Sequence, residues 1–435
     1  KSNLALAVAN LNALAFQLIG NIHWVISTLF LLGIVLGIAR MVLIGILAVF
    51  EWQGARRKSY PAGYLPLVSV IVPAYNEEKV ICNTVRSLLR STYPNLDIVV
   101  VDDGSSDGTY SRVVQEFRGN PQVRVFTKPN GGKAQALNFG LQQTQAEVIV
   151  AQDADTIILP EAVANLVRHL ADPQVGAAAG NAKVGNRINI LTKWQALEYI
   201  TSQNLDRRAF AVLNCITVVP GAIGAWRRAL LLEAGGFDND TLAEDADLTM
   251  KILRMGYRID YEEQAIALTE APDTIAGFVK QRFRWMYGTL QAAWKHRGVI
   301  FRPRYGALGM FAIPNIFIFQ ILFPLISPVM DLLLIGSVVG FGWQRYQHPA
   351  DFSIDPLRRV LLYYLLFLLV DFLSAFVAFL LERKEDWRLL AWLFFQRFLY
   401  RQLMYYVAIK AALTAIRGRI AGWGKLERKA TVTPT

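Results

Sequence analysis

The stretch VSVIVPAYNEEKVICNTVRSLLRSTYPNLDIVVVDD (68–103) predicts the fold, because it holds two buried strands joined by a helix. The runs VSVIVPA (68–74) and LDIVVVDD (96–103) are apolar and rich in β-branched residues, and residues 77–89 between them have helical spacing. The pattern continues with a helix over 111–117, a strand over 123–126, a helix over 133–142 and a strand over 147–153. Apolar strands that alternate with helices indicate an α/β protein with a mostly parallel sheet, in which ligands bind at the carboxyl ends of the strands.

Acidic residues follow two of these strands, at the edge where ligands are expected. Asp102 and Asp103 come at the end of the second strand, and Asp153 and Asp155 follow the fourth. Each pair alone is compatible with an ordinary turn, because Asp, Gly and Ser are common turn residues. Four carboxylates along one sheet edge instead favour a bound cation. An oxygen-rich site of this kind suits Mg²⁺ or Mn²⁺, which often bind together with substrate phosphates.

Two further segments contain candidate groups for a transfer reaction. In PNGGKAQALN (129–138), a glycine pair and Lys133 open a helix whose first backbone amides can contact a phosphate. An ordinary glycine turn into a helix is the alternative interpretation. In AEDADLTMKI (243–252), Glu244 and Asp245 begin a helix, where the helix dipole favours carboxylates in any case. The functional interpretation is that a carboxylate here acts as a general base toward an attacking hydroxyl.

The segment QRFRW (281–285) lies within a helical pattern near the end of the polar region. Arg282 and Arg284 are candidates to meet a diphosphate, and Trp285 offers a flat apolar face to a sugar ring. The alternative is a basic amphipathic helix that lies on a membrane surface.

Composition and charge indicate an integral membrane protein. Hydrophobic residues make up 54% of the 435 residues, and apolar runs at 2–39, 305–330 and 360–381 are long enough to cross a bilayer. The net charge of +11 comes largely from basic clusters beside these runs, which are typical of cytoplasmic anchors rather than of nucleic-acid binding. We therefore expect no nucleic-acid partner. We predict a membrane segment at 1–59, a cytoplasmic catalytic domain at 60–301, and membrane and interfacial helices at 302–435.

Taken in order, six motifs resemble those of the membrane-embedded processive family 2 glycosyltransferases, which include cellulose, chitin, hyaluronan and poly-N-acetylglucosamine synthases. The motifs are VSVIVPAYNEE, VVDDGSSDGT, PNGGKAQALN, QDADT, AEDADLT and QRFRW. The resemblance covers residues 66–290, with apolar flanks on both sides. It implies a GT-A fold, with a mixed, mostly parallel sheet that binds a nucleotide sugar, inserted between transmembrane helices. It also implies a UDP-sugar donor and a growing glycan acceptor.

The resemblance further implies roles for single residues of this chain. The donor nucleotide would contact Tyr75, Glu77 and Asp102, with Asp103 beside them and Lys133 near the diphosphate. Asp153 and Asp155 would complete the nucleotide site and hold Mg²⁺ or Mn²⁺. Asp245, next to Glu244, would be the catalytic base, although Ala243 stands where the family motif has threonine. Gln281, Arg284 and Trp285 match the family motif that contacts the acceptor and the diphosphate, and Arg282 is added to this set from the residue pattern alone.

Two stretches, 180–210 and 218–228, resemble the branch that polymerises amino sugars, which favours UDP-N-acetylglucosamine as the donor. The second stretch would form a loop near the acceptor end. Hyaluronan or cellulose synthesis and the non-processive glycosylation of a lipid are the alternatives, as is a transporter or scaffold with a regulatory soluble domain. We expect the protein to lie in the cell (inner) membrane in contact with lipid, with accessory membrane or export subunits as further partners.

The apolar stretch 389–413 presents a conflict between hydropathy and charge. It contains Arg397 and Arg401 and is followed by the basic sequence 417–429. If the stretch crossed the membrane, the arginines would have to face a polar channel, since charges within the bilayer are costly. If it lay at the cytoplasmic interface, the arginines would extend toward water. We predict that this stretch is interfacial or only partly inserted and that the C-terminus is cytoplasmic.

Overall fold

The computed structural model describes residues 2–61, 63–347, 355–382, 385–418 and 428–432. The chain forms two compact units. One consists of Lys1–Leu43 with Ile326–Ser374, and the other of Ile44–Leu325 with Ala375–Thr435. The second unit holds the sheet, and it extends on both sides beyond the predicted domain at 60–301. The predicted domain boundaries themselves stay a prediction.

The second unit is built on a single eight-stranded mixed sheet with the order β3-β2-β1-β4-β7-β6-β8-β5. The strands are β1 (Val68–Ala74), β2 (Leu96–Asp102), β3 (Val123–Thr127), β4 (Val148–Ala151), β5 (Thr156–Ile158), β6 (Val175–Val184), β7 (Gly224–Arg227) and β8 (Arg258–Thr269). Strands β1 to β4 pair in parallel, as the sequence predicts. Strand β7 runs antiparallel to both of its neighbours, and this half of the sheet has no counterpart in the sequence-based expectation.

The register of the parallel half brings the strand ends together. Val68 of β1 pairs with Leu96 on one side and with Val148 on the other. Consequently Asp102 lies opposite Ala74 at the end of β1, and the loop that carries Asp153 begins beside the same end. Every residue of β1 and β4 is buried, which explains why both are continuously apolar.

Helices cover the sheet and continue beyond it. They are α1 (Ser2–Arg57), α2 (Ile81–Leu89), α3 (Thr109–Glu116), α4 (Lys133–Gln142), α5 (Ala162–Val167), α6 (Ile190–Glu198), α7 (Leu205–Val212), α8 (Arg228–Glu233), α9 (Glu244–Arg254), α10 (Ile275–Lys295), α11 (Ile313–Asn315), α12 (Phe323–Gln347), α13 (Asp355–Leu381) and α14 (Leu393–Ile416). Helix α4 has the predicted bounds. Helix α2 begins later than the predicted residue 77, because Asn76 adopts a left-handed conformation (φ 54°) and the Glu77 amide donates to Thr109 Oγ1.

Three helical segments are long and apolar enough to cross a membrane, namely Leu31–Arg57, Leu308–Gln347 and Tyr364–Leu381. The second contains π-helical turns at Leu308–Ala312 and Ile316–Leu322, on both sides of Pro314. A proline ring interrupts regular i→i−4 bonding, which accounts for this irregular winding. Helix α14 is not among the candidate spans found in the described part of the chain.

Helix α14 packs against the domain that contains the sheet. The Tyr400 ring lies 4.8 Å from the Phe278 ring of α10 and 6.2 Å from the Trp194 ring of α6. The short segment Arg428–Val432 also contacts this domain, since Lys429 Nζ lies 2.8 Å from Asp273. The interfacial placement of 389–413 stays a prediction, and the last residues, 433–435, lie outside the described ones.

Helix α4 packs so closely on β1 that we expect one methyl group added at Gly140 to lower the stability of the protein. A Cβ at Gly140 of α4 would lie 2.5 Å from Ile71 Cγ2. Gly140→Ala should therefore lower the melting temperature in detergent, at a cost of about 1–3 kcal/mol for overpacking. Gly54→Ala is the matched control, since a Cβ there meets nothing within 4 Å, and it should leave stability unchanged or raise it slightly. Equal melting temperatures for the two variants would contradict this packing.

Candidate active site

A pocket opens at the carboxyl ends of β1, β2 and β4. It is lined by the following residues: Pro73, Ala74, Tyr75, Glu77, Asp103, Asn130, Gly132, Lys133, Ala136, Asp153, Ala154, Asp155, Arg284 and Arg428. The pocket therefore brings together most of the residues that the sequence singles out at strand ends. Its position is the one expected for a ligand site in an open α/β sheet.

The loops after β1 and β2 are bound to each other at one side of the pocket. The Asn76 amide donates to Ser105 Oγ at 2.8 Å, and the Ser106 amide donates to Asn76 Oδ1 at 2.7 Å. These bonds fix the chain around Tyr75 and Glu77. Asp102 is buried at the base of the same loops. Its Oδ2 accepts from Thr127 Oγ1 at 2.9 Å, whereas its Oδ1 has no hydrogen-bond partner among the residues that the structure describes.

Asp103 shapes the glycine loop that precedes α4. Its carboxylate accepts the backbone amides of Gly131 and Gly132 at 3.0 and 2.7 Å, and Lys128 Nζ lies 2.7 Å away. The Asp103 oxygens are thus used within the protein. This residue forms part of the pocket wall, and its observed contacts are with the loop that leads to Lys133.

Lys133, the first residue of α4, occupies the centre of the charged groups. Its Nζ lies 2.7 Å from Asp153 Oδ1 and 2.8 Å from Glu244 Oε1. Burial alone would lower the pKa of Lys133, but Asp153, Glu244 and Asp245 outweigh burial and raise it. Lys133 is therefore a permanent cation that joins the end of β4 to the start of α9.

The two acidic residues after β4 have opposite pKa shifts. Burial acts to raise the pKa of Asp153, yet Lys133, Arg284 and Arg428 outweigh burial and lower it. For Asp155, burial dominates and raises the pKa, although Arg428 partly opposes this. Asp155 Oδ2 is buried without a well-aligned hydrogen bond, and the Arg428 guanidinium lies 2.5 Å from it. This carboxylate is placed to bind a cation.

Asp245 lies near the same cluster at the start of α9. Its Oδ1 accepts the Ala246 amide at 2.8 Å and its Oδ2 accepts the Gly221 amide at 3.1 Å. Burial, and then the neighbouring Glu244, raise the pKa of Asp245 to about 6, against the opposing effects of Lys133 and the two amides. A Cβ at 221 would lie 2.6 Å from Lys133 Nζ, so any larger residue there would have to displace the end of the Lys133 side chain.

Helix α10 carries the QRFRW segment, and the side chains of this segment lie in different environments. Arg284 lines the pocket, and Trp285 lies half-buried with its ring 6.1 Å from the Tyr199 ring. Arg282 does not line the pocket. Its guanidinium is buried and bound to Glu198 at 2.7 Å, so the structure separates Arg282 from the groups expected at the diphosphate. The two arginines are two positions apart on one helix, and residues at that spacing do not share a face.

Sequence reasoning missed Arg428, which reaches the pocket from the C-terminal segment. The basic sequence 417–429 was interpreted as a membrane anchor, and no spacing in the sequence relates Arg428 to Asp155. The segment is attached to the domain because the Lys429 and Ala430 amides donate to the Glu270 carboxylate at 2.8 and 3.0 Å. Only the folded chain reveals this contact.

The residues after β4 fit a divalent cation. Asp153 and Asp155 offer carboxylate oxygens at one edge of the pocket, and hard cations such as Mg²⁺ and Mn²⁺ prefer such ligands. A second acidic group, Asp238, Asp240 and Asp247, has carboxylate oxygens within 4.8 Å of one another. Lys295 Nζ lies 2.5 to 3.1 Å from all three, so the protein itself balances the charge of this group.

The family profile described as "Glycosyltransferase like family 2" matches residues 66–288, about half of the chain, and covers the sheet, α9 and every residue that lines the pocket except Arg428. The chain belongs to this family. The predicted resemblance is thereby confirmed, as is the GT-A-like mixed sheet that binds a nucleotide sugar. A family 2 glycosyltransferase takes a nucleotide-sugar donor and a glycan acceptor.

Curated relatives and one solved structure are similar to this glycosyltransferase. A poly-beta-1,6-N-acetyl-D-glucosamine synthase from Staphylococcus epidermidis is 33% identical over 223 residues, which are 51% of this chain and 54% of that protein. The synthase from Staphylococcus aureus strain COL is 31% identical over 222 residues, again 51% and 54% of the two chains. The chain thus spans about half the length of the curated relatives it matches.

The solved structure is a mannosyltransferase from Pyrobaculum calidifontis in complex with GDP-Man and Mn²⁺. It has 23% sequence identity and a TM-score of 0.60, and the similarity covers 89% of this chain and 99% of that one. At this identity the likeness shows the fold. The candidate membrane spans among the described residues indicate that this glycosyltransferase is a membrane protein.

We predict that Asp245→Asn abolishes sugar transfer while leaving nucleotide binding nearly unchanged. The asparagine amide cannot accept a proton from a hydroxyl, and loss of a general base costs about 10²–10⁴-fold in rate. Turnover and the affinity for the nucleotide should be measured on the same preparation. If the variant kept more than about a tenth of wild-type turnover, Asp245 would not be the base.

We expect the rate of transfer to fall as the pH drops through about 6, because Asp245 acts only when ionised. Glu244→Gln removes the second cause of the raised pKa of Asp245, so the acidic side of the profile should move to lower pH. Initial rates at saturating donor, measured on both sides of pH 6, test this. An unchanged profile, or a shift to higher pH in Glu244→Gln, would argue against the assignment.

Proposed function

We propose that this protein is a processive, inverting β-glycosyltransferase that polymerises UDP-N-acetylglucosamine into an exported polysaccharide. One observation carries the proposal: the partly buried carboxylate of Asp245, with its pKa raised to about 6, lies near Lys133, which itself contacts Asp153 and Glu244. A base is thereby placed next to a site suited to a diphosphate. The relatives, which are named as poly-beta-1,6-N-acetyl-D-glucosamine synthases, support the choice of sugar.

In the proposed reaction, Asp245 accepts the proton of the acceptor hydroxyl while the hydroxyl oxygen attacks the anomeric carbon of the donor. The bond from that carbon to the diphosphate breaks, and UDP leaves with the bonding electron pair. Attack opposite to the leaving group inverts the configuration. Lys133 and Arg284 stabilise the negative charge that develops on the diphosphate, because fixed charges in a water-poor site lower the barrier strongly. A divalent cation, Mg²⁺ or Mn²⁺, held by Asp153 and Asp155 would supply further neutralisation of the diphosphate.

The nucleoside would bind where the loops after β1 and β2 meet. Tyr75 and Glu77 lie in the pocket wall, and the buried Asp102 Oδ1 is an acceptor to which none of the described residues donates. A uracil N–H or a ribose hydroxyl would satisfy this oxygen. Asp103 would act indirectly, since it holds the glycine loop that presents Lys133.

The acceptor would bind on the side of α9 and α10. Trp285 is only half-buried, so part of its side chain remains accessible to a sugar. The segment with Gly221 contributes the amide that orients Asp245, which agrees with a loop near the acceptor end. Membrane helices would then pass the growing chain outward from a cytoplasmic catalytic domain in the inner membrane, in contact with lipid and with accessory membrane or export subunits.

Supplying purified protein with radiolabelled UDP-sugars one at a time tests the substrate and the processivity. We expect incorporation from UDP-N-acetylglucosamine into a long product that a β-1,6-specific glucosaminidase degrades, and no incorporation by Asp245→Asn. Incorporation from UDP-glucose, or only in the presence of UDP-glucuronate, would identify cellulose or hyaluronan synthesis instead. A single sugar transferred to lipid would show that the enzyme is not processive.

We predict that Asp155→Ala loses the part of UDP binding that depends on a divalent cation. The buried Asp155 carboxylate is next to Asp153, and its raised pKa shows that the protein alone compensates its charge poorly. Calorimetry of UDP binding with and without Mn²⁺ should show stimulation by the ion in the wild type and in Asp240→Ala, but not in Asp155→Ala. Asp240→Ala is the control, because this exposed carboxylate belongs to the group that contacts Lys295. Equal stimulation in Asp155→Ala would rule out the proposed metal site.

A further inference from the structure

We propose that Arg282 is a positioning residue, which orients Gln281 and Trp285 for the acceptor and fixes α10 to α6 and α14, and that it does not contact the donor diphosphate. This inference rests on the proposed function, since it assigns Gln281 and Trp285 to the acceptor. It differs from the expectation that both arginines of QRFRW meet the diphosphate.

Arg282 is one of the largest fully buried side chains, and its exposed fraction is 2%. A buried guanidinium needs compensating partners, and Arg282 finds them on two other helices. Its Nη2 donates to Glu198 Oε2 at the end of α6 at 2.7 Å, and it lies 3.3 Å from the Tyr400 hydroxyl of α14. The Tyr400 hydroxyl also donates to Glu198. Three helices therefore meet at one ion pair.

The same guanidinium contacts two neighbours on α10 that are expected at the acceptor. Its Nη1 donates to Gln281 Oε1 at 2.7 Å. Because a guanidinium only donates, the Gln281 amide must turn its oxygen toward Arg282, which leaves the NH₂ group as the donor for a substrate. The amide orientation is thus determined by Arg282.

Arg282 also holds the Trp285 ring in place. The Arg282 guanidinium carbon lies 4.2 Å from the centre of the Trp285 ring, within the range of a cation–π contact. The Tyr199 ring lies on another side, at 6.1 Å. A lysine could keep the charge of Arg282, but it could not donate to Gln281, Glu198 and the Trp285 face from one planar group.

The test compares Arg282→Lys with Arg284→Lys, a matched control two residues along the same helix that lines the pocket. We expect Arg282→Lys to keep wild-type affinity for UDP in the presence of Mn²⁺, and to shorten the polymer and slow its elongation by roughly tenfold to a hundredfold, as misplaced reactants do. Arg284→Lys should instead weaken UDP binding by about tenfold. If UDP affinity fell equally in both variants, Arg282 would be a diphosphate ligand and the proposal would fail.

Tyr400→Phe gives a second variant that leaves no buried charge unpaired. It removes the hydroxyl that contacts Arg282 and Glu198 but keeps the ring packing against Phe278 and Trp194. A purely structural defect would reduce the amount of active enzyme without changing polymer length or the Michaelis constant. We expect shorter polymer at unchanged UDP affinity, and wild-type polymer length in both Tyr400→Phe and Arg282→Lys would overturn the proposal.

The proposed function and the positioning role of Arg282 would fail in distinguishable ways. If the wild type made no polymer from UDP-N-acetylglucosamine, the proposed substrate would be wrong. The Arg282 and Arg284 variants would then be compared with the UDP-sugar that the wild type does consume. The inference about Arg282 depends on the contrast between product length and UDP affinity, and not on which sugar is transferred.

Discussion

The buried ammonium group of Lys133 is the interaction on which the rest of the site depends. It lies within 2.8 Å of both Asp153 and Glu244, and so it connects the loop after β4 to the first turn of α9. Without this cation, carboxylates that face one another at low solvent exposure would repel. Loss of this cation would leave the Glu244 carboxylate, whose side chain is only 7% exposed, without the charge that compensates it. The parallel half of the sheet and the helix with the base are thereby held in one arrangement.

The position of Lys133 follows from local sequence through a short chain of causes. The register of β1 with β2 places the end of β2 beside the end of β1, and Asp103 follows directly. Asp103 accepts the amides of Gly131 and Gly132, and Gly132 adopts the positive φ of 89° that this turn needs. Helix α4 then begins at Lys133. Asp103, which the sequence predicts beside the nucleotide, therefore also supports the loop that positions Lys133.

The sequence predicted what depends on local periodicity and missed what depends on distant contacts. Strands β1 to β4, helix α4 and the acidic residues at strand ends follow from spacing within short windows. Strand β7 pairs antiparallel with β4, and Arg428 contacts Asp155. In both cases the partners are too far apart in the sequence to fall within one short window. Arg282 lies 84 residues from Glu198 and 118 from Tyr400. A signal for its separate role did exist, since Gln281, Arg284 and Trp285 have the i, i+3, i+4 spacing of one helix face and Arg282 does not belong to it.

The balance of charge explains why a divalent cation is part of the proposed function. Among the described residues around Lys133, four carboxylates, Asp153, Asp155, Glu244 and Asp245, face three basic groups, Lys133, Arg284 and Arg428. A diphosphate would add further negative charge to a site that already has an excess of acid. Arg428 balances Asp155 through a single contact, but one guanidinium cannot compensate two carboxylates and a diphosphate at once. Asp153 and Asp155 would hold a divalent cation, which would supply the positive charge that a single arginine cannot.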